Sequence, residues 1–206
     1  MINYFIMIRI IGGSKKRSIL SFPSITMSGV RPTISNARDT LFNWIANDIK
    51  NKNILDLYAG SGCLGFETLS RGAKHVYFVE NKKYLVKNLY INKNKLKLLN
   101  SVNIIKTNSI NYINNLAFKS FDIIFIDPPF YKGLVYPSIN LLESNGWLNN
   151  NSFIYLEVEA KLDLFFIPNT WILYKELSFG KSHIFLYRRF LKNTTTHQRK
   201  KQYISN

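Results

Sequence analysis

Asp127-Pro128-Pro129-Phe130 sets an acid, two rigid imino acids and a flat ring in consecutive positions. Neither proline has an N–H to give to a sheet ladder, so the pair ends any strand before it and holds its neighbours stiffly. A carboxylate and a proline carbonyl both accept hydrogen bonds and together can grip the two hydrogens of an amino group, while the Phe130 ring can stack on a planar base. The combination suits chemistry at the exocyclic amine of a nucleobase. Taken alone, it also suits a purely structural turn.

A second constellation lies upstream. In NILDLYAGSGCLG, Gly60, Gly62 and Gly65 have the spacing G-x-G-x-x-G, which lets a ligand approach the backbone at a helix N-terminus. A dinucleotide enzyme would set its pyrophosphate there and use an acid such as Glu80 on the ribose. Asp56, just before the loop, would repel a pyrophosphate but could hold a cationic or zwitterionic ligand, and the chain leaves no room for a second domain to hold a hydride acceptor. Asp56, Ala59, Gly60, Gly62 and Glu80 therefore favour S-adenosylmethionine, its amino-acid part near Asp56 and the loop and its ribose on Glu80. Asn108 can hydrogen-bond the adenine or cap a helix. His75, His183 and His197 show no ligand spacing, so no metal is expected; Cys63 reads as a packing residue.

The elements that must position these groups follow from periodicity. NILDLY, VYFVE, VNIIKT, FDIIFI and FIYLEVE read as strands, separated by helical stretches at LGFETLSR, residues 82–98, SINYINNL and residues 133–145. This alternation predicts an α/β fold with a mostly parallel, doubly wound sheet, to which WILYKEL and SHIFLYRR add an antiparallel edge. Asp127 then falls at the carboxyl edge of the fourth strand, beside the crevice. Residues 1–30 carry two short β-like runs around Gly12-Gly13 and predict a small hairpin extension; residues 31–191 form the main domain, and the polar, basic residues 192–206 read as a disordered tail. Thr33 is a plausible N-cap for a helix placing Ala37, Leu41, Trp44 and Ile45 on one face, with Arg38 near the cofactor mouth or paired with an acid.

Lys and Arg number 28 against 12 acidic residues, a net charge of +16 that points to a polyanionic partner. Heavy use of Asn, Lys and Ile, as an AT-rich genome favours, accounts for part of it. Arg9, Lys15, Lys16, Arg17 and Arg31 are the candidate phosphate contacts. The single cysteine excludes an internal disulfide, and neither a signal peptide nor a bilayer-spanning run is legible, so a soluble cytoplasmic protein is expected.

RIIGG, GVRPT followed by AR and LFNW, LDLYAGSGCLGFETLSRGA, VYFVE, IDPPF, YKGL, NLLESNGWL and YLEVE together resemble the bacterial 16S ribosomal RNA guanine-N(2)-methyltransferases of the RsmD type, over about residues 8–190. The glycine loop and DPPF are shared by many amino-methyltransferases; the RIIGG opening and the RPT…LFNW segment discriminate. The resemblance implies a Rossmann-like class I methyltransferase core with a small N-terminal β extension. It also implies a target guanine in 16S rRNA, free or within the small ribosomal subunit, and a monomeric enzyme is expected. Lys15-Lys16-Arg17-Ser18 stands where the family commonly carries an Arg-Gly-Arg-type element. From the residues alone, three alternatives stay open: an adenine amino-methyltransferase acting on DNA or RNA, a non-catalytic RNA-binding ribosome-assembly factor, and an NAD-binding oxidoreductase.

Overall fold

A computed structural model describes residues 8–22, 35–160 and 162–191. Arg31, Thr33 and the basic tail from Lys192 lie outside these residues. The first two strands, β1 (Ile8–Arg9) and β2 (Ile19–Leu20), pair antiparallel around a short 3-10 turn at Gly13–Lys15. Helix α1 (Ser35–Trp44) follows, burying Ala37 and Leu41, with Ile45 buried just beyond its end and Trp44 partly buried.

The core then alternates as the periodicity predicts: β3 (Asn53–Asp56), α2 (Cys63–Ser70), β4 (His75–Glu80), α3 (Lys83–Lys95), β5 (Val102–Lys106), α4 (Ser109–Ile113), β6 (Phe121–Ile126), α5 (Val135–Ser144) and β7 (Leu148–Glu159). The hairpin β8 (Trp171–Phe179) and β9 (Ser182–Arg189) closes the sheet. Strand order is β5-β4-β3-β6-β7-β9-β8, parallel from β5 to β7 and antiparallel at β9 and β8. The architecture is Rossmann-like and doubly wound. Two elements depart from the periodic reading. SINYINNL is helical only through Ile113, because the Trp147 indole N–H donates to the carbonyls of Ile113 and Asn115, satisfying groups a longer helix would have bonded internally. β7 begins at Leu148, ahead of the apolar run, and exposed Asn150 and Asn151 fall within a register shift against β6, between the pairs Phe121–Leu148 and Ile123–Phe153.

Each face of the sheet carries its own core. Phe78, Phe125 and Tyr155 pack with residues of α1, α2 and the N-terminal hairpin on one face; Ile124, Ile126 and Leu156 pack with α5 and Trp147 on the other. Because β6 is buried on both sides, FDIIFI is apolar almost throughout rather than alternating.

The N-terminal hairpin shares the first of these cores through Ile8, Ile10, Leu20 and Phe22. A buried carboxylate pins it. Glu67 on α2 accepts the amide hydrogens of Ile11 at 2.7 Å and Gly12 at 2.8 Å, and pairs with Arg71 at 2.7 Å. The second glycine is required by both conformation and space: Gly13 has φ +75°, and a Cβ there would lie 1.9 Å from the Ser70 carbonyl oxygen.

Candidate active site

The sheet order reverses between β3 and β6, so the crevice of a doubly wound fold opens at the carboxyl ends of these two strands. A cleft of about 570 Å³ lies there. Pairing register places its acids on one face of the sheet. Asp56 is opposite Phe78 in β4 and Phe125 in β6, and Phe125 is opposite Tyr155 in β7. Side chains alternate along a strand, so Glu80, Asp127 and Glu157, each two residues beyond one of these partners, share the face of Asp56. All four line the cleft.

Asp56 lies deep at the end of β3 and is 3% exposed. Burial pushes its carboxyl up to about 7; the amide of Gly65, donating at 3.1 Å, opposes the shift, and the charge of Glu80 adds to it. A carboxylate so poorly solvated favours a cationic ligand, whose arrival replaces the lost hydration. The glycine loop turns directly above it. Gly62, at φ +76°, immediately precedes α2, whose first residues, Cys63 and Leu64, line the cleft. Gly65 serves packing instead, since a Cβ there would lie 2.3 Å from the Phe78 ring. Ala59 lines the cleft beside the loop, its amide bonded to the Val79 carbonyl.

Glu80 and Asn108 each do structural work as well. The Glu80 carboxylate accepts backbone N–H groups from Gly60 at 2.9 Å, Asn81 at 2.8 Å and Lys82 at 2.9 Å, tying the glycine loop to the end of β4. Of the roughly four lone-pair sites on a carboxylate, this leaves about one for a ligand hydroxyl. The Asn108 side chain accepts from the Asn111 amide at 3.1 Å and so caps α4, with its amide nitrogen left for another partner on the cleft wall.

The Asp127–Phe130 turn forms another wall. Pro128 is buried, Pro129 exposed, and the half-buried Phe130 ring meets Tyr131 edge-on at 6.3 Å. Tyr131 closes the turn at φ +60°, a left-handed conformation uncommon for a residue with a side chain, with its amide held by Glu159 at 3.3 Å.

The sequence reading gave no role to Glu157 and Tyr155, and left Arg38 between two. The Tyr155 hydroxyl, fully buried, donates to Glu157 Oε2 at 2.7 Å. Burial and the charges of Glu157 and Asp127 hold this phenol well above its ordinary range, so it stays a donor. An acid inside the apolar run FIYLEVE was the available signal. Arg38 is buried at 4% exposure; its Nη2 donates to the Arg9 carbonyl, while Nε and Nη1 find no hydrogen-bond partner among the described residues. Its positive charge, with the negative charges of Asp56 and Asp127, acts on the buried Cys63 thiol, whose titration burial pushes up.

The basic candidates are divided. The Arg9 carbonyl meets the buried Arg38, and the tip bearing Lys15, Lys16 and Arg17 packs against Ser70 and Arg71, at the end of α2 remote from the cleft. Exposed Lys82, Lys132 and Lys181 instead surround the opening. Among the described residues no His, Cys, Asp and Glu group is placed to hold a metal ion, and no helix is long and apolar enough to cross a membrane.

Comparison with known proteins converges on one group. The family model described as conserved hypothetical protein 95 matches residues 8–188. Over 180 residues the chain is 42% identical to ribosomal RNA small subunit methyltransferase D of Buchnera aphidicola subsp. Acyrthosiphon pisum, covering 87% of this chain and 92% of that protein. The protein of the same name from Escherichia coli K12 is 38% identical over 182 residues, covering 88% and 90%. Among solved structures, a putative methyltransferase from Escherichia coli superposes with a TM-score of 0.81 at 36% identity, covering 90% of this chain and 99% of that one.

Proposed function

The chain belongs to the family of the ribosomal RNA small subunit methyltransferase D proteins, and from that premise we propose that it moves a methyl group from S-adenosylmethionine to the exocyclic 2-amino group of a guanine in 16S rRNA. The observation that carries this reading is the sharing of one cleft by the Asp127–Phe130 turn with Asp56 and the glycine loop. An amine-gripping turn and a pocket suited to a cationic cofactor thus face the same space.

The residues fit the cofactor chemically. Asp56 is a desolvated acid that a cationic or zwitterionic group would stabilise in its ionised form, Glu80 keeps about one acceptor site for a ribose hydroxyl, and the Asn108 amide nitrogen can donate to an adenine. When bound, S-adenosylmethionine supplies a sulfonium methyl group, which the amine nitrogen takes as the carbon–sulfur bond breaks and a neutral thioether leaves.

The protein's part at the acceptor is positioning. The guanine amine is a weak nucleophile because its lone pair is delocalised into the ring. Asp127 and the Pro128 carbonyl accept its two hydrogens, which turns the lone pair toward the methyl group; such orientation supplies several kcal/mol without a strong base. Asp127 then takes the proton that the methylated nitrogen sheds, or passes it to solvent. Phe130 stacks on the base, which must leave its own stack to enter the cleft. The lysines around the opening and the tip of the hairpin are suited to phosphates flanking the target. On this reading the enzyme acts as a monomer in the cytoplasm, where its rRNA substrate is found.

The test is transfer from labelled S-adenosylmethionine to naked 16S rRNA and to small subunits lacking the modification, followed by mapping of the label. Label on the 2-amino group of a single guanine is expected. No transfer to guanine, with cofactor binding intact, overturns the reading.

A further inference from the structure

We propose that Glu157 reads the N1–H of the target guanine and thereby selects guanine over the other bases at the amine-gripping turn. The inference rests on the methyl-transfer reading above. Its structural basis is register: Leu156 pairs with Ile126, so Glu157 and Asp127 are the next residues along neighbouring parallel strands, on the same face and against the same cleft. Neighbouring strands lie about 4.8 Å apart, so two carboxylates stand side by side where a base edge must enter.

Glu157 is built for a fixed task rather than for solvation. It is 7% exposed; Tyr155 fixes its Oε2, and the buried Ile184 is its partner in β9. The Tyr155 hydroxyl feels the charges of both Glu157 and Asp127, which ties the two acids into one cluster. An ionised carboxylate only accepts hydrogen bonds, so whatever part of the base meets Glu157 must donate.

Base chemistry then discriminates. The 2-amino group of guanine is flanked on one side by N1–H, a donor. The 6-amino group of adenine is flanked by N1 and N7 and the 4-amino group of cytosine by N3, all acceptors. With the amine held by Asp127, guanine offers Glu157 a hydrogen bond, whereas adenine and cytosine turn a lone pair toward a carboxylate. A site whose buried acceptor is left unpaired rejects the wrong ligand strongly.

The test compares guanine with 2-aminopurine at the nucleotide mapped in the transfer assay, placed in otherwise identical 16S rRNA by splinted ligation. 2-Aminopurine keeps the 2-amino group but carries a lone pair at N1. The unaltered enzyme is expected to favour guanine by roughly 10- to 100-fold in kcat/KM, the range of one well-made base contact. In Glu157→Gln, whose amide can donate to N1 of 2-aminopurine, the guanine rate falls and the preference shrinks by about tenfold or more, with S-adenosylmethionine affinity by calorimetry unchanged. Reading both proteins on the same two bases separates the group facing residue 157 from the loss of O6. Equal use of the two bases by the unaltered enzyme, a comparison that needs no folded variant, overturns the assignment, as does an unchanged preference in Glu157→Gln. Both outcomes leave methyl transfer to guanine standing. Label mapped to a base other than guanine overturns the function and this inference together.

Discussion

Asp56 and Asp127 stand on neighbouring parallel strands, on one face of the sheet, offset by the two residues that separate Asp127 from Phe125, the register partner of Asp56. At about 3.3 Å per residue and 4.8 Å between strands, the backbone alone sets the two acids about 8 Å apart along one cleft, which leaves room between them for the cofactor and the base proposed above.

On the proposed reading, Asp127→Ala removes the acceptor of the amine hydrogens. Methyl transfer is expected to fall by about 10²–10³-fold or more in kcat, the cost of removing one preorganised polar group at a reacting centre. Cofactor affinity, measured by calorimetry, stays close to that of the parent. A large loss of cofactor binding would contradict the assigned role.

Asp56 makes cofactor binding depend on pH. Because burial lifts its carboxyl to about 7, the acid gains charge as pH rises from 6 to 8, and affinity for S-adenosylmethionine is expected to rise over that interval. Asp56→Asn should bind weakly and without this dependence. The stability trend runs the other way. A carboxyl raised from 3.8 to about 7 keeps in the folded state a proton that the unfolded chain has already released, so stability falls as pH rises between these values. The Asn variant should therefore melt above the parent at pH 8, by an amount on the order of a few kcal/mol, with the gap closing near pH 4.

Glu67 holds the N-terminal hairpin to the core through two backbone N–H groups and Arg71. Glu67→Ala strands all three donors at a site with no exposure of the acid side chain, a loss of about 3–5 kcal/mol by analogy with broken buried ion pairs. Thermal melts give the magnitude. Amide hydrogen exchange locates it: Ile11 and Gly12 should lose protection before the strands of the central sheet do.

Lys15, Lys16 and Arg17 sit at the end of α2 remote from the cleft, a distance of about 12 Å for an eight-residue helix. Replacing all three with Ala should weaken rRNA binding and lower the slope of log affinity against log salt by up to about 0.7–0.9 for each phosphate the tip no longer neutralises. Cofactor affinity should not change. An unaltered salt slope would remove the tip from the RNA footprint.

Much of this architecture is written locally. Alternation of β-branched strands with amphipathic helices, the glycine loop and the Pro-Pro stop after FDIIFI are readable because each depends on residues within one element. Asp56, Gly60, Glu80 and Asp127 were identifiable for the same reason: each lies at a strand end or loop where an acid or a glycine is locally out of place. The cap at Asn108 was readable from its place after a strand, but the structural duty of Glu80 was not, because it depends on which backbone N–H groups come within reach once the loop is folded. Nor was Arg38, whose burial against the Arg9 carbonyl is set by how the hairpin lies on α1 and α2.

By itself, then, the sequence determined most of the strands and helices, the strand-ending turn at Asp127 and the loop that follows β3, since these follow from short-range sterics and periodicity. Tertiary structure alone decided that Glu157 stands beside Asp127, that Asp56, Glu80, Asp127 and Glu157 share one face of the sheet, and that the basic tip lies a helix length from the cleft. The physical reason is that strand order and register are set by packing and hydrogen bonding between segments far apart in the chain. A shift of one residue in any pairing would carry the shifted strand's acid to the opposite face.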